Sequence, residues 1–204
     1  MISSFRNLIR SFFRSILIHP TEQERHCWRD SDSIALTFDD YAETDRVNDL
    51  LKILNEENVR AGFFLVGQWV LDNQVLVEQM KRDGHWVGGH TYSHRRLRWA
   101  QAGTITREVL AVQVEQFIRP PFGDYGRRVR RILTRLGLKV CYWNVDSRDW
   151  TGITAAEICD NVLNGLDPRG VVLLHLNGRY TLEALPQLIT GIREAGFTLE
   201  ALKG

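Results

Sequence analysis

Residues Ser33–Val66 read SIALTFDDYAETDRVNDLLKILNEENVRAGFFLV. Ser33–Phe38 is a short apolar run of strand length. Val47, Leu50, Leu51 and Leu54 then recur at the spacing of one helix face, and Ala61–Val66 is a second apolar run. On the C-terminal side the alternation continues. A helix through Val70–Arg82 stops before Gly84, where a glycine suits a helix end. Trp86–Gly89 is a short strand, and a short helix follows near Thr106–Val112. Gln116–Arg119 is a brief strand before Pro120-Pro121. Val129, Ile132, Leu133 and Leu136 mark a helix closed by Gly137, and Lys139–Val145 is the next strand. Thr154-x-x-Glu157 is a capping box opening a helix through Leu163. Gly170–Leu174 is a strand, Leu182–Ala195 a helix ended by Gly196, and Phe197–Leu199 a last strand. About seven strands interleaved with helices predict an α/β fold with a parallel sheet, either open or closed into a barrel. No G-x-G-x-x-G or Walker loop occurs, so the nucleotide-binding versions lose support.

Composition narrows the class. The 204 residues carry 26 Lys+Arg against 25 Asp+Glu, a formal charge of +1, which argues against a nucleic-acid partner. A hydrophobic content of 44% is enough to build a core and excludes a disordered chain. Cys27, Cys141 and Cys159 are far apart and form no CxxC, so free buried thiols in a reducing compartment are expected. No apolar run reaches the roughly 18 residues of a membrane span. Residues 1–30 are expected to form a basic amphipathic segment ahead of a single domain over 31–204. Within 1–20, Arg6, Arg10 and Arg14 alternate with Phe5, Leu8, Ile9, Phe12, Phe13, Ile16 and Leu17, with no acidic residue. A helix packed on the domain, a helix lying on a membrane surface and an unusual export signal all fit. The expected location is therefore cytoplasmic or peripheral to the membrane. No protein partner is inferred.

The chemistry gathers where strands end, which is where barrel enzymes carry their catalytic groups. Asp39 and Asp40 follow the first strand, and His90 and His94 the third. Arg119 follows the fourth, Asp146 and Asp149 the fifth, and His175 the sixth. His90-Thr-Tyr-Ser-His94, if helical, turns two imidazoles the same way to share one metal. One carboxylate would complete three ligands and leave positions open. Adjacent aspartates on an extended chain point oppositely, so one can bind metal while the other takes a proton from water. His175 at the sheet mouth can protonate a leaving amine, held in its charged form by Asp149. Arg119 can orient the base carboxylate through its planar fork.

Five ordered stretches make the pattern specific: Thr37-Phe-Asp-Asp40, His90-Thr-Tyr-Ser-His94, Arg119-Pro-Pro-Phe-Gly123, Asp146-Ser-Arg-Asp-Trp150 and Leu173-Leu-His175. Together they resemble the motifs of the polysaccharide deacetylase family (the NodB-homology domain, carbohydrate esterase family 4), over Ile34 to Leu199. Ala61–Gly67 is similar to that family's second strand. The resemblance implies a distorted (β/α) barrel of about seven parallel strands. It also implies a divalent metal, most often Zn2+, and removal of acetyl groups from an N-acetylhexosamine-containing carbohydrate. By motif, Asp39 would be the general base and Asp40, His90 and His94 the metal ligands. Arg119 would orient Asp39, and His175 would be the general acid tuned by Asp149. The Phe122 backbone N–H would hold an oxyanion, while Trp150 and Leu173 would line a pocket for the acetyl methyl.

Two departures bear on substrate choice. Tyr41 stands where the family usually has glycine, which predicts either a strained loop or a side chain projecting toward substrate. The stretch from His94 to Arg119 is short, as if a helix of the barrel wall were lost. Arg95, Arg96 and Arg98 suggest attraction of an anionic substrate, and Trp99 is the candidate for stacking on a sugar ring. Trp69, Trp86 and Trp143 read as core. Alternatives are a deacetylase or deformylase of a lipid-linked sugar at a membrane face, a carbohydrate-binding barrel weakened in catalysis, and a metal-independent amidohydrolase.

Overall fold

The computed structural model describes residues 20–202 apart from 26, 28, 30 and 113–115, so the helix expected over residues 1–20 lies outside the described residues. The strands are β1 (Ala35–Asp40), β2 (Gly62–Leu65), β3 (Trp86–Gly89), β4 (Phe117–Ile118), β5 (Lys139–Val140), β6 (Val145–Asp146) and β7 (Val171–His175). The helices are α1 (Glu22–Arg25), α2 (Thr44–Glu56), α3 (Gly67–Asp72), α4 (Gln74–Arg82), α5 (Ala102–Leu110), α6 (Arg127–Arg135), α7 (Ala155–Leu163) and α8 (Thr181–Glu194). All strand pairs are parallel, in the order β5-β4-β3-β2-β1-β7-β6.

This order forces the sheet to curl. Its two edges, β5 and β6, are joined only by residues 141–144. A flat seven-stranded sheet would set those edges about 29 Å apart. Five extended steps of chain reach at most about 17 Å. The sheet therefore bends into a half-barrel whose open side lies between β5 and β6.

Seven strands were expected, but not these seven. Lys139–Val145 is two strands on opposite edges, and Phe197–Leu199 contributes only an isolated bridge from Leu199 to Ile34. Cys141, Tyr142 and Trp143 have strand-favouring side chains, yet the Cys141 and Tyr142 carbonyls turn away to accept from Arg119. The long helix expected over Val70–Arg82 is broken at Asn73 into α3 and α4. The capping box at Thr154 and Glu157 is present.

Period-two alternation sorts side chains to the two faces. Leu36 and Phe38 of β1, Phe63 of β2, Val87 of β3 and Val172 and Leu174 of β7 pack outward against the helices. Their partners include Val47, Leu50, Leu51 and Leu54 of α2 and Leu185, Leu188, Ile189 and Ile192 of α8. Ala35, Phe64, Trp86, Phe117 and Val171 fill the concave side. Gly88 makes room there, because a Cβ would come within 2.5 Å of the Trp86 ring. The inward positions of the next layer are Thr37, Asp39, Leu173 and His175, so polar groups begin where the apolar plug ends.

The expectation of three free thiols is corrected. Cys27 and Cys141 form a disulfide, and only Cys159 is free and buried. The two partners are 114 residues apart, a pairing that spacing alone does not reveal. The same N-terminal stretch is fastened by Glu24, which is buried and accepts from Tyr125 Oη at 3.0 Å and from Arg130 at 2.7 Å. No helix among the described residues is long and apolar enough to cross a membrane.

Candidate active site

Asp39 and Asp40 end β1, yet both line one cleft of about 800 Å³ at the C-terminal ends of the strands. Alternation alone would point Asp40 outward. Its φ of 77° turns the chain and brings the carboxylate back to the concave side. His90 follows β3, and His94 lies four residues on. The expected helical turn between them is absent. The segment is irregular, with left-handed φ at Thr91 (62°) and His94 (55°). The rings nevertheless converge, with centroids 5.0 Å apart.

Asp40, His90 and His94 present ligand atoms within 4.8 Å of one another. Asp40 Oδ1 lies 3.3 Å from His90 Nε2 and 3.0 Å from His94 Nε2. His90 Nδ1 is 2.8 Å from the Arg119 carbonyl, which only accepts, so Nδ1 carries the proton of the neutral ring. His90 Nε2 then turns a lone pair toward a carboxylate oxygen that has no hydrogen-bond donor of its own. Burial penalises the Asp40 charge, but when both imidazoles are protonated and donate through Nε2, their hydrogen bonds and charges outweigh that penalty and hold the carboxyl ionised well below the usual carboxylate range. Converging lone pairs on a buried anion suit a divalent cation.

Asp39 sits beside this set, 3% exposed. Its Oδ1 accepts from Arg119 Nη1 at 2.7 Å, and its Oδ2 lies 3.9 Å from His90 Nε2. Arg119 is fully buried, yet its donors are taken up: Thr37 Oγ1 at 2.9 Å, the Tyr142 carbonyl at 2.8 Å and the Cys141 carbonyl at 3.3 Å. The guanidinium also stacks over the Phe64 ring at 4.0 Å. Burial lowers its pKa, and the Asp39 charge opposes that. A guanidinium keeps its charge in such surroundings.

His175 pairs in register with Asp39 on the neighbouring strand and lines the same cleft. Asp149, 1% exposed, accepts from His175 Nδ1 at 2.7 Å, from the His175 backbone N–H at 2.7 Å and from Thr181 Oγ1 at 2.6 Å. Burial alone would lower the His175 pKa. The hydrogen bond and charge of Asp149, with the charges of Asp39 and Asp40, reverse this and push it up to about 9. With Nδ1 committed to Asp149, Nε2 is left for the cleft.

The polysaccharide deacetylase family pattern matches residues 29–141, more than half of the chain. The chain belongs to the polysaccharide deacetylase family. It is 31% identical over 178 residues to a peptidoglycan-N-acetylglucosamine deacetylase of Bacillus cereus, a match covering 80% of this chain. The chain spans 64% of that relative's length. It is 28% identical to a chitooligosaccharide deacetylase of Bradyrhizobium sp., covering 83% of this chain and 89% of the relative. The structure superimposes on a family 4 carbohydrate esterase from Streptomyces lividans in complex with acetate. That match has a TM-score of 0.79 and 26% identity, and covers 85% of this chain and 94% of the other.

Within this polysaccharide deacetylase fold, Phe122, Trp150 and Leu173 all line the cleft. Phe122 has a φ of 62°, and its ring lies against His94. Trp150 is 63% exposed, while Leu173 is buried. Tyr41 is not part of this cleft but of a neighbouring one. The backbone strain expected at Tyr41 is carried instead by Asp40. Trp99 is exposed and carries Arg98 over its ring, outside the cleft lining, whereas Trp143 and Trp150 line it. The helix feared lost between His94 and Arg119 is present as α5, with Ile105 and Val109 buried against Val129 and Leu133. Arg96 and Arg98 both pair with Asp124, so much of their charge is answered inside the protein.

Sequence reasoning missed Thr37 and Thr181 as supports. Thr37 Oγ1 donates to the Val172 carbonyl at 2.6 Å while accepting from Arg119. Its inward position in β1 was a usable signal. Thr181 lies six residues beyond His175 in a different element, and no spacing marks it.

Proposed function

We propose that this chain removes acetyl groups from N-acetylhexosamine units of a carbohydrate, with a divalent ion on Asp40, His90 and His94. The observation that carries this reading is a pair of separately supported groups beside one three-ligand set in a single cleft: Asp39 on Arg119, and His175 on Asp149. Mixed nitrogen and carboxylate ligands favour zinc. A bound ion of this kind supplies Lewis acidity toward an acyl oxygen and toward water. Asp39, oriented by its hydrogen bond from Arg119, takes the proton of the attacking water. His175, charged through Asp149, gives a proton from Nε2 to the departing sugar nitrogen. The Phe122 N–H faces the developing oxyanion. Leu173 and Trp150 form the apolar wall for the acetyl methyl and exclude bulkier acyl groups.

The likeness to peptidoglycan and chitooligosaccharide deacetylases supports an N-acetylglucosamine-containing substrate. The Cys27–Cys141 disulfide supports a working place in oxidising surroundings, since such bonds are rare in reducing ones. The test is acetate release from N-acetylglucosamine oligosaccharides and peptidoglycan fragments, by metal-stripped protein beside zinc-reloaded protein. Release only after reloading is expected. Equal release from stripped protein removes the metal from the reading, and no release from either removes the activity.

A further inference from the structure

We propose that Glu24 and the Cys27–Cys141 disulfide are positioning residues for the general base: they hold residues 141 and 142, whose carbonyls aim Arg119 at Asp39. This rests on the deacetylase reading above and extends the support of its base to a stretch before β1 that lines no part of the catalytic cleft. A fully buried guanidinium keeps one orientation only while acceptors surround it. Beyond Asp39 and Thr37, Arg119 depends on the Cys141 carbonyl, 3.3 Å from Nε, and the Tyr142 carbonyl, 2.8 Å from Nη2. Both belong to residues 141–144, outside β5 and β6. Sheet hydrogen bonding on this edge ends at the Cys141 N–H, which donates to the Ile118 carbonyl at 3.0 Å. Tyr142 lies beyond that ladder.

The N-terminal stretch supplies what the sheet does not. The Tyr142 N–H donates to the Glu24 carbonyl at 2.6 Å, and the Cys27 N–H donates to the same oxygen at 3.2 Å. The disulfide closes this contact covalently. Its Cys141 sulfur lies 3.6 Å from Arg119 Nη2, so the bridge itself borders the guanidinium. Cys27 is buried in one apolar layer with Phe64, the ring over which the guanidinium stacks at 4.0 Å. The Glu24 carboxylate is fastened in turn, by Tyr125 Oη, by Arg130 of α6 and by the Thr21 N–H at 2.7 Å.

Releasing this clamp frees the two carbonyls to shift, and the buried Arg119 donors then follow them or lose partners. Either way the Asp39 carboxylate is no longer held in one orientation. The metal ligands are supported by another route. The Arg119 carbonyl that fixes His90 is main chain, and the Arg119 N–H donates to the Gly89 carbonyl at 2.9 Å in the sheet. Proton transfer through Asp39 therefore depends on the N-terminal stretch, whereas metal retention does not.

The test uses the full chain, zinc-loaded, as wild type, Cys27→Ser, Glu24→Ala and Glu24→Gln. It measures kcat and KM for acetate release from an N-acetylglucosamine oligosaccharide, zinc content by elemental analysis, and solvent exchange of the Arg119 Nε–H beside the backbone amides of β7 by NMR. Cys27→Ser and Glu24→Ala are expected to lower kcat by roughly 10–100-fold, with KM and zinc content unchanged. Glu24→Gln, which still accepts hydrogen bonds, is expected to restore most of the loss. In the two damaging variants the Arg119 Nε–H is expected to exchange at least about tenfold faster while the β7 amides stay protected. An unchanged kcat, or an unchanged Nε–H exchange, in both variants overturns the clamp. So does faster exchange of the β7 amides in step with the Nε–H, which marks a general loss of stability. Where Cys27→Ser does not fold, Glu24→Ala carries the same readouts. Wild type that releases no acetate overturns the deacetylase reading, and the Nε–H exchange still decides the clamp.

Discussion

Asp39 and Asp40 are chemically identical neighbours that end in different surroundings. Asp39 keeps the inward direction of its strand and meets Arg119, while Asp40 reaches the two imidazoles through a left-handed backbone. The division of labour predicts separable phenotypes. His94→Ala is expected to lose bound zinc, measured by elemental analysis after dialysis. Asp39→Asn is expected to retain zinc while acetate release falls by roughly 10²–10⁴-fold. Full activity in Asp39→Asn removes it from the base role. His175 gives a pH prediction. Its pKa is raised from the ordinary 6.5 to about 9, so the stabilisation from its pairing is complete below about 6.5 and lost as pH rises through about 9. As a proton donor it is also spent above about 9. Acetate release should fall there, and Asp149→Asn should move that limb toward 6.5. An unmoved limb would show that the limb belongs to another group. That these residues gather in one cleft was legible in the sequence because most of them end or closely follow an expected strand. The backbone angles at Asp40, Thr91 and His94 were not, since those are imposed by the surrounding loops rather than by residue type.

The elements show where local pattern stops being informative. Residues 139–145 carry the side chains of one continuous strand, and only the demands of Arg119 and the two sheet edges divide them. The helix break at Asn73 likewise has no glycine or proline to announce it. The segment after β7 illustrates how an element end serves the site. A Cβ on Gly178 would come within 2.6 Å of Asp149 Oδ2 and closer still to the Thr181 hydroxyl. Gly178→Ala is therefore expected to displace the carboxylate that holds His175. Its signature would be an alkaline limb shifted to lower pH with zinc content unchanged. An unaltered pH profile would mean that the loop yields instead of Asp149.

At the scale of the whole molecule, the apolar face pattern was enough to read a parallel α/β sheet, because burial on each face repeats with period two. Long-range closure was not readable. Cys27 and Cys141 meet only because five strands fold between them, and nothing in their spacing records it. Reduction is expected to lower unfolding stability by about 2–4 kcal/mol through release of that long loop. Urea denaturation with and without dithiothreitol measures this, and identical midpoints would dismiss the contribution. The four residues 141–144 have a wider consequence. They span the mouth of the half-barrel, anchor Arg119 through two carbonyls and place Trp143 in the cleft wall. Their number works as a calliper. Residues added there would let the two edges part and widen the aperture without touching a single reacting group, whereas residues removed would pinch it. Bulky and slender glycans would thus be told apart by the length of a segment that itself carries no reacting group.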